Sequence, residues 1–197
     1  MAKLYFYYAS MNAGKSTALL QADFNYRERG MRTLLFTAAV DTRHGPGVIA
    51  SRVSLSRPAE TFGVGTDLLA ATRTAMAAEA LACVLVDEAQ FLAPAQVDQL
   101  ACVADRLGVP VLAYGLRTDF LGELFLGSAR LLAVADVLAE IKSVCLCGRK
   151  ATFTARIGPD GVAARVGAQT EIGGNDRYVA LCRHHHREAL AGALVLG

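Results

Sequence analysis

Short apolar runs, each stopped by a small residue, an acid or a glycine, alternate along this chain with longer Ala- and Leu-rich stretches. Lys3–Tyr8 reads as a buried strand, and Lys15–Arg29 as a helix closed by Gly30. "MRTLLFTA" predicts a second strand, and the Gly- and Pro-rich "DTRHGPGVIASR" that follows predicts a long mobile loop. "TDLLAATRTAMAAEA" has a Thr-Asp start and helix-forming residues throughout. "ALACVLVDE" is an apolar strand that ends abruptly in two acids. "PAQVDQLACVADRLG" is a helix with Pro at its start and Gly at its end, and "VPVLAYG" is again a strand.

Strand and helix thus alternate repeatedly in the first 115 residues, which predicts a parallel sheet with helices packed on its faces. After Lys142 the texture changes. "ATFTARIGPDGVAARVG" predicts a hairpin turning at "GPDG", and "TEIGGNDRYVALC" a Gly-rich loop entering a strand. The expected division is residues 1–142 and residues 143–197.

The chain's 197 residues are 53% hydrophobic, enough to bury a sizeable core without disulfides. A formal net charge of +2 and the lack of a long Lys/Arg run argue against a nucleic-acid partner. No apolar run reaches the roughly 18 to 20 residues of a membrane span. The N-terminus lacks the pattern of a secretory signal, and an odd count of five cysteines argues against a secreted disulfide scaffold. The expected compartment is the cytoplasm.

Between the first strand and helix the chain reads "ASMNAGKS", which fits the phosphate-loop pattern GxxxxGK[ST] at Gly14, Lys15 and Ser16, with Ala9 in place of the first glycine. Backbone N–H groups of such a turn converge on one anion-sized hollow. Lys15 would add a charge for the β- and γ-phosphates, and the Ser16 hydroxyl can ligate Mg²⁺. The plainer alternative is a strand-to-helix turn with a solvated lysine. Asp87 ends a buried strand, at the sheet edge where α/β folds bind ligands, and is placed to hold Mg²⁺. Glu88 follows it, and strand alternation predicts that its side chain points elsewhere. A carboxylate beside the γ-phosphate can accept a proton from an attacking hydroxyl. Farther on, Cys145 and Cys147 form C-x-C, and Cys182 with a His in "CRHHH" forms a second close pair, the pattern of a four-ligand structural zinc site.

"YFYYASMNAGKSTALL", "VLVDEAQF", "YGLRTDFLGELF", "CLCGRKA" and "IGGNDRYVALC" together resemble the small zinc-containing (type II) thymidine kinases, over about residues 3 to 188 and in that family's motif order. The resemblance implies a phosphate-loop, RecA-like α/β sheet with helices on both faces. It also implies a small C-terminal zinc-containing β domain whose lasso loop closes over the nucleoside. The implied reaction moves the γ-phosphoryl of ATP to the 5′-hydroxyl of deoxythymidine, with deoxyuridine also accepted, for nucleotide salvage.

Carried onto this sequence, the resemblance makes Glu88 the general base, and Ser16 and Asp87 the Mg²⁺-linked pair. It makes Ala9, Ser10, Met11, Asn12, Ala13, Gly14, Lys15 and Ser16 the triphosphate loop, and Asp87, Glu88, Ala89 and Gln90 a second nucleotide-contacting stretch. Ala89 stands where some relatives have Cys or Gly. Asp41 and Arg43 match the phosphate-transfer site, though from sequence alone Arg43 reads as a solvated loop residue. Met11, Phe91, Leu116, Phe120, Phe125 and Tyr178 match the walls of the thymine pocket, with core packing the plainer reading of Phe120 and Phe125. Gln169, Thr170, Glu171, Ile172 and Gly173 match the lasso. The zinc ligands implied are Cys145, Cys147, Cys182 and His185. A homotetramer and feedback by the triphosphate of thymidine (dTTP) are further expectations of the family. The competing class is an ATP-driven switch whose zinc module binds a partner.

Overall fold

In the computed structural model, which describes residues 1–170 and 177–196, six parallel strands form one sheet. These are β1 (Leu4–Ala9), β2 (Thr33–Ala38), β5 (Glu60–Phe62), β6 (Cys83–Val86), β7 (Val111–Leu116) and β8 (Val137–Glu140), in the order β5-β2-β6-β7-β1-β8. Helices α1 (Lys15–Arg27), α2 (Leu68–Ala78), α3 (Pro94–Cys102) and α4 (Leu126–Val134) connect or flank them.

Alternation along each strand decides which face each helix covers. Leu34, Phe36, Val84, Val86, Val111 and Ala113 point to one side and pack with residues of α2, α3 and α4. Leu35, Cys83, Leu85 and Tyr114 point to the other and pack with Leu19 and Leu20 of α1. A strand buried on both faces reads as a continuous apolar run, as "CVLV" of β6 does. Truncating Phe36, which is fully buried, would cost about 3–5 kcal/mol.

The ends of the helices follow their residues. Asp67 caps α2, its carboxylate accepting from the Ala70 N–H at 2.9 Å. Pro94 opens α3, and the helical segment ends on a π turn at Val103–Leu107 before Gly108. The stretch 41–52 is more ordered than a loop prediction allows. It includes β3 (Val48–Ala50), which pairs antiparallel with β4 (Ser56–Pro58), and Ile49 is buried against α1. The short β5, unforeseen in the sequence, extends the main sheet beside β2.

From residue 143 the strands leave the main sheet. β9 (Ser143–Val144) pairs with β10 (Lys150–Ala151), and β11 (Phe153–Arg156) with β12 (Tyr178–Leu181), ahead of helix α5 (Arg183–Ala191). The chain reverses at "GPDG" as expected, with an antiparallel bridge from Ile157 to Ala163. The Gly158 N–H donates to the Val162 carbonyl at 2.8 Å and the Ala164 N–H to the Arg156 carbonyl at 2.7 Å, while β11 forms its longer ladder with the distant β12. Cys145, Ala151, Ala155, Leu181, Cys182 and Ala189 make a separate small core there. No described helix is long and apolar enough to cross a membrane.

Candidate active site

A parallel sheet places all strand C-termini on one edge. β1 and β6 are separated only by β7, so the segments that follow them are neighbours. After β1 the chain turns through Met11–Gly14 and enters α1 at Lys15. The N-cap residue Gly14 has φ 84 and brings no side chain to cap the helix, the arrangement in which first-turn N–H groups can receive an anion. The Lys15 ammonium is buried and donates to the Ser10 carbonyl at 3.0 Å. Burial lowers its pKa and Arg43 adds to that, while Glu88 and Asp87 oppose it. Ser16 Oγ donates to Asp87 Oδ2 at 2.9 Å, which ties the loop after β1 to the acids after β6.

Asp87 and Glu88 do not point apart. β6 stops at Val86, and Glu88 adopts the left-handed conformation (φ 52), so strand alternation no longer applies and both carboxylates face one cavity. Such a conformation costs a non-glycine residue on the order of 1–3 kcal/mol and persists only where neighbours hold it. The neighbours here are specific. The Glu88 N–H donates to Asp87 Oδ1 at 3.0 Å, Arg43 Nη2 to Glu88 Oε1 at 2.5 Å, and Gln90 Nε2 to Glu88 Oε2 at 2.5 Å.

Gln90 is fixed in turn, its Oε1 accepting from the Leu116 N–H at 2.9 Å. A Cβ on Gly115 would lie 2.9 Å from both Gln90 N and Oε1, so only glycine lets β7 approach this closely. Arg43 also forks onto Asp41, through Nε and Nη2 at 2.7 Å each. Arg43 is therefore half-buried and ion-paired, not a solvated loop residue. The Asp41 hydrogen bond raises the Arg43 pKa against the effect of burial, with Glu88 adding to the rise. Burial pushes the Asp41 carboxyl up, but the Arg43 bonds and charge outweigh it and hold the pKa down. Burial, with the Glu88 charge beside it, pushes Asp87 up to about 7 against the pull of Ser16 and Lys15.

The cavity these groups line has a volume of about 380 Å³, within the range of small-ligand sites. Met11, Asn12, Gly14, Lys15, Ser16, Asp41, Arg43, Asp87, Glu88, Gln90, Phe91, Leu116, Phe120, Phe125, Gln169, Thr170 and Tyr178 all border it. Ala9, Ser10, Ala13 and Ala89 do not. Ala9 ends β1, Ser10 offers its carbonyl to Lys15, and Ala89 is packed inside the turn after Glu88. Glu171, Ile172 and Gly173 lie outside the described residues.

The apolar end is built from rings. Phe91 and Phe125 meet edge-on with centroids 6.1 Å apart. Phe120 has the Arg156 guanidinium over its ring at 3.8 Å, and its carbonyl accepts from His186 Nε2 at 2.9 Å. Phe120 and Phe125 are buried, as core packing predicts, and they also border the cavity. Several cavity residues carried no sequence signal. Buried Thr154 accepts the Met11 N–H at 3.0 Å, and Arg52 reaches in from the β3–β4 hairpin.

The ligand atoms of Cys145, Cys147, Cys182 and His185 lie within 4.8 Å of one another. Cys145 Sγ and His185 Nδ1 are 3.2 Å apart, Cys182 Sγ and His185 Nδ1 3.7 Å, and Cys147 Sγ and Cys182 Sγ 3.9 Å. Tetrahedral zinc with Zn–S about 2.3 Å and Zn–N about 2.0 Å needs separations of roughly 3.5–3.8 Å, so this donor set fits the ion. His185 Nε2 lies 3.9 Å from Glu188, whose other oxygen is 3.2 Å from His184 Nε2. His186 is occupied by Phe120 and stacks on Phe153, which separates it from the cluster's chemistry.

An anion cradle behind one strand, paired carboxylates behind another and an aromatic cleft between them define a phosphate-loop kinase of a small acceptor. A family model described as thymidine kinase matches residues 2–186. The chain is similar to the thymidine kinase of Novosphingobium aromaticivorans, at 66% identity over 96% of this chain and 99% of that one. It is similar to that of Zymomonas mobilis at 62% over 96% and 98%, and to that of Salmonella paratyphi A at 55% over 96% and 93%. The chain belongs to the thymidine kinase family and is an ATP-dependent nucleoside kinase. Among solved structures, a Pif1 helicase of Candida albicans aligns with 73% of this chain and 36% of that one, at a TM-score of 0.41 and 16% identity.

Proposed function

We propose that this protein transfers the γ-phosphoryl group of ATP to the 5′-hydroxyl of thymidine, giving thymidine monophosphate and ADP, with Glu88 as the base. The observation that carries this reading is the shared cavity, which Lys15, Ser16 and Glu88 line together with Phe91, Phe120, Phe125 and Tyr178.

The triphosphate enters along the N–H groups at the start of α1, with Lys15 against its β- and γ-oxygens. Ser16 and Asp87, already hydrogen-bonded to each other, are the groups that would hold Mg²⁺, and a bound Mg²⁺ would neutralise charge on the β- and γ-phosphates. The thymine ring lies among the aromatic walls, with Thr154 and the backbone near Gln169 and Thr170 offering polar edges. Glu88 accepts the 5′-hydroxyl proton as that oxygen bonds to the γ-phosphorus. The bond from γ-phosphorus to the bridging oxygen breaks, and its electron pair leaves with ADP. Arg43 stands beside Glu88, where its charge can follow the transferring group.

In this division of labour residues 1–142 carry the phosphate chemistry, and the segment beginning at residue 143 supplies Thr154, Gln169, Thr170 and Tyr178 to the nucleoside end. Bound zinc would fasten that segment and take no part in transfer. The test is to mix the pure protein with Mg-ATP and single nucleosides and separate the products. Thymidine monophosphate formed in step with ADP is expected. ATP hydrolysis with no thymidine-dependent product would favour the ATP-driven switch instead.

A further inference from the structure

We propose that Arg52, at the tip of the β3–β4 hairpin, is a ligand of the terminal phosphate of the bound nucleoside triphosphate. This rests on the reading of the phosphate cradle above and extends it to a residue from outside the loop.

Arg52 borders the same cavity as Lys15 and Glu88. Its Nη2 lies 2.5 Å from Asn12 Oδ1. Asn12 belongs to the cradle itself, with a left-handed φ of 63, and its amide also donates to the Tyr178 carbonyl at 3.2 Å. The guanidinium is thus already positioned over the loop that would wrap the phosphates.

Charge pairing separates Arg52 from the other arginine of the cavity. Arg43 is held by two carboxylates, Asp41 and Glu88. Arg52 is held by a neutral amide, and among the described residues no carboxylate lies within ion-pair distance of it. A phosphate offers a guanidinium a full opposite charge and two parallel bonds, neither of which a single amide oxygen supplies. A polyphosphate entering the cradle would therefore draw Arg52 from Asn12 onto its own oxygens.

The hairpin is anchored well enough to deliver that charge. Ile49 is buried beside Leu19 and Leu20 of α1, and Arg57 Nε lies 3.0 Å from the buried carboxylate of Asp23. Asp23 also accepts from Thr33 Oγ1 at 2.5 Å, so the latch is fixed to β2 as well as to α1. A buried base and an exposed cationic tip suit a group that meets a ligand from the open side of the cradle.

The experiment is calorimetric titration of wild type, Arg52→Ala and Arg52→Lys with a non-hydrolysable ATP analogue and with ADP, each with Mg²⁺. A contact to the terminal phosphate predicts that Arg52→Ala loses about tenfold or more in affinity for the analogue. Its affinity for ADP stays within about threefold of wild type, and Arg52→Lys recovers part of the loss. Unchanged affinity for the analogue overturns the proposal, and so does an equal loss for analogue and ADP. Wild type that binds neither nucleotide would instead overturn the cradle reading on which the proposal stands. Thymidine binding, measured in the same variants, reports that the fold is intact.

Discussion

Arg43 Nη2 lies 2.5 Å from Glu88 Oε1, and the same guanidinium is clamped by both oxygens of Asp41 at 2.7 Å. Three residues from two loops therefore form one charged unit on the cavity wall. The carboxylate assigned as base is held in position on both oxygens, by Arg43 and by Gln90. Replacing Glu88 with Gln keeps the shape and removes the proton acceptor. The turnover number should fall at least about a hundredfold while ATP binding is retained, as read by steady-state kinetics beside calorimetry. Turnover near wild type would remove Glu88 from the role of base.

Gln90 acts through Glu88 and so makes a different prediction. Gln90→Leu removes the bond to Glu88 Oε2 and leaves the Leu116 N–H without its partner, an omission worth about 1–3 kcal/mol when buried. The melting temperature should drop, and kcat should fall about tenfold or more with KM for ATP little changed. A fall in stability alone, with kcat intact, would make Gln90 a structural residue only.

How much of this was legible beforehand depends on the kind of signal. β1, the phosphate loop and α1 were readable because an apolar run, "NAGKS" and a helical stretch occur in order. The helix caps at Asp67 and Pro94 were equally local. Glu88 borders the cavity, but its direction is not predictable from the sequence. Alternation assumes a strand, and β6 ends one residue before Asp87. The β3–β4 hairpin was hidden behind Gly and Pro, since its order comes from Ile49 packing on α1 and from the Asp23–Arg57 pair. The "GPDG" reversal is readable because Gly, Pro and Asp set it locally, whereas the longer ladder of β11 with β12, more than twenty residues away, is not. Contacts set by tertiary neighbours leave little trace in a local window.

The raised pKa of Asp87 has a sign that can be checked. With a folded value of about 7, above the ordinary 3.8, the folded protein binds the proton more tightly than the unfolded chain does. This group's contribution to stability is full below about pH 4 and is lost as pH rises toward 7. Asp87→Asn carries no such proton. Without Mg²⁺ or nucleotide, the variant should therefore gain in melting temperature relative to wild type between pH 5 and pH 8. A constant gap across that range would contradict the shift.

For the Cys/His cluster, Cys182→Ser should lower bound zinc and thermal stability together, because thiolate ligation of a zinc ion there would add folding energy to a segment with so small a core. Metal analysis by mass spectrometry, run beside a melting curve, reads both. Full zinc occupancy in the variant would count against Cys182 as a ligand.

The phosphate loop, Glu88 and the aromatic residues all line one cavity. A molecule in which thymidine is joined through its 5′-oxygen to adenosine by a chain of phosphates would reach both the loop and the rings, and its displacement measures that relation directly. It should be competed away by ATP alone and by thymidine alone. Displacement by only one of the two would contradict the shared cavity.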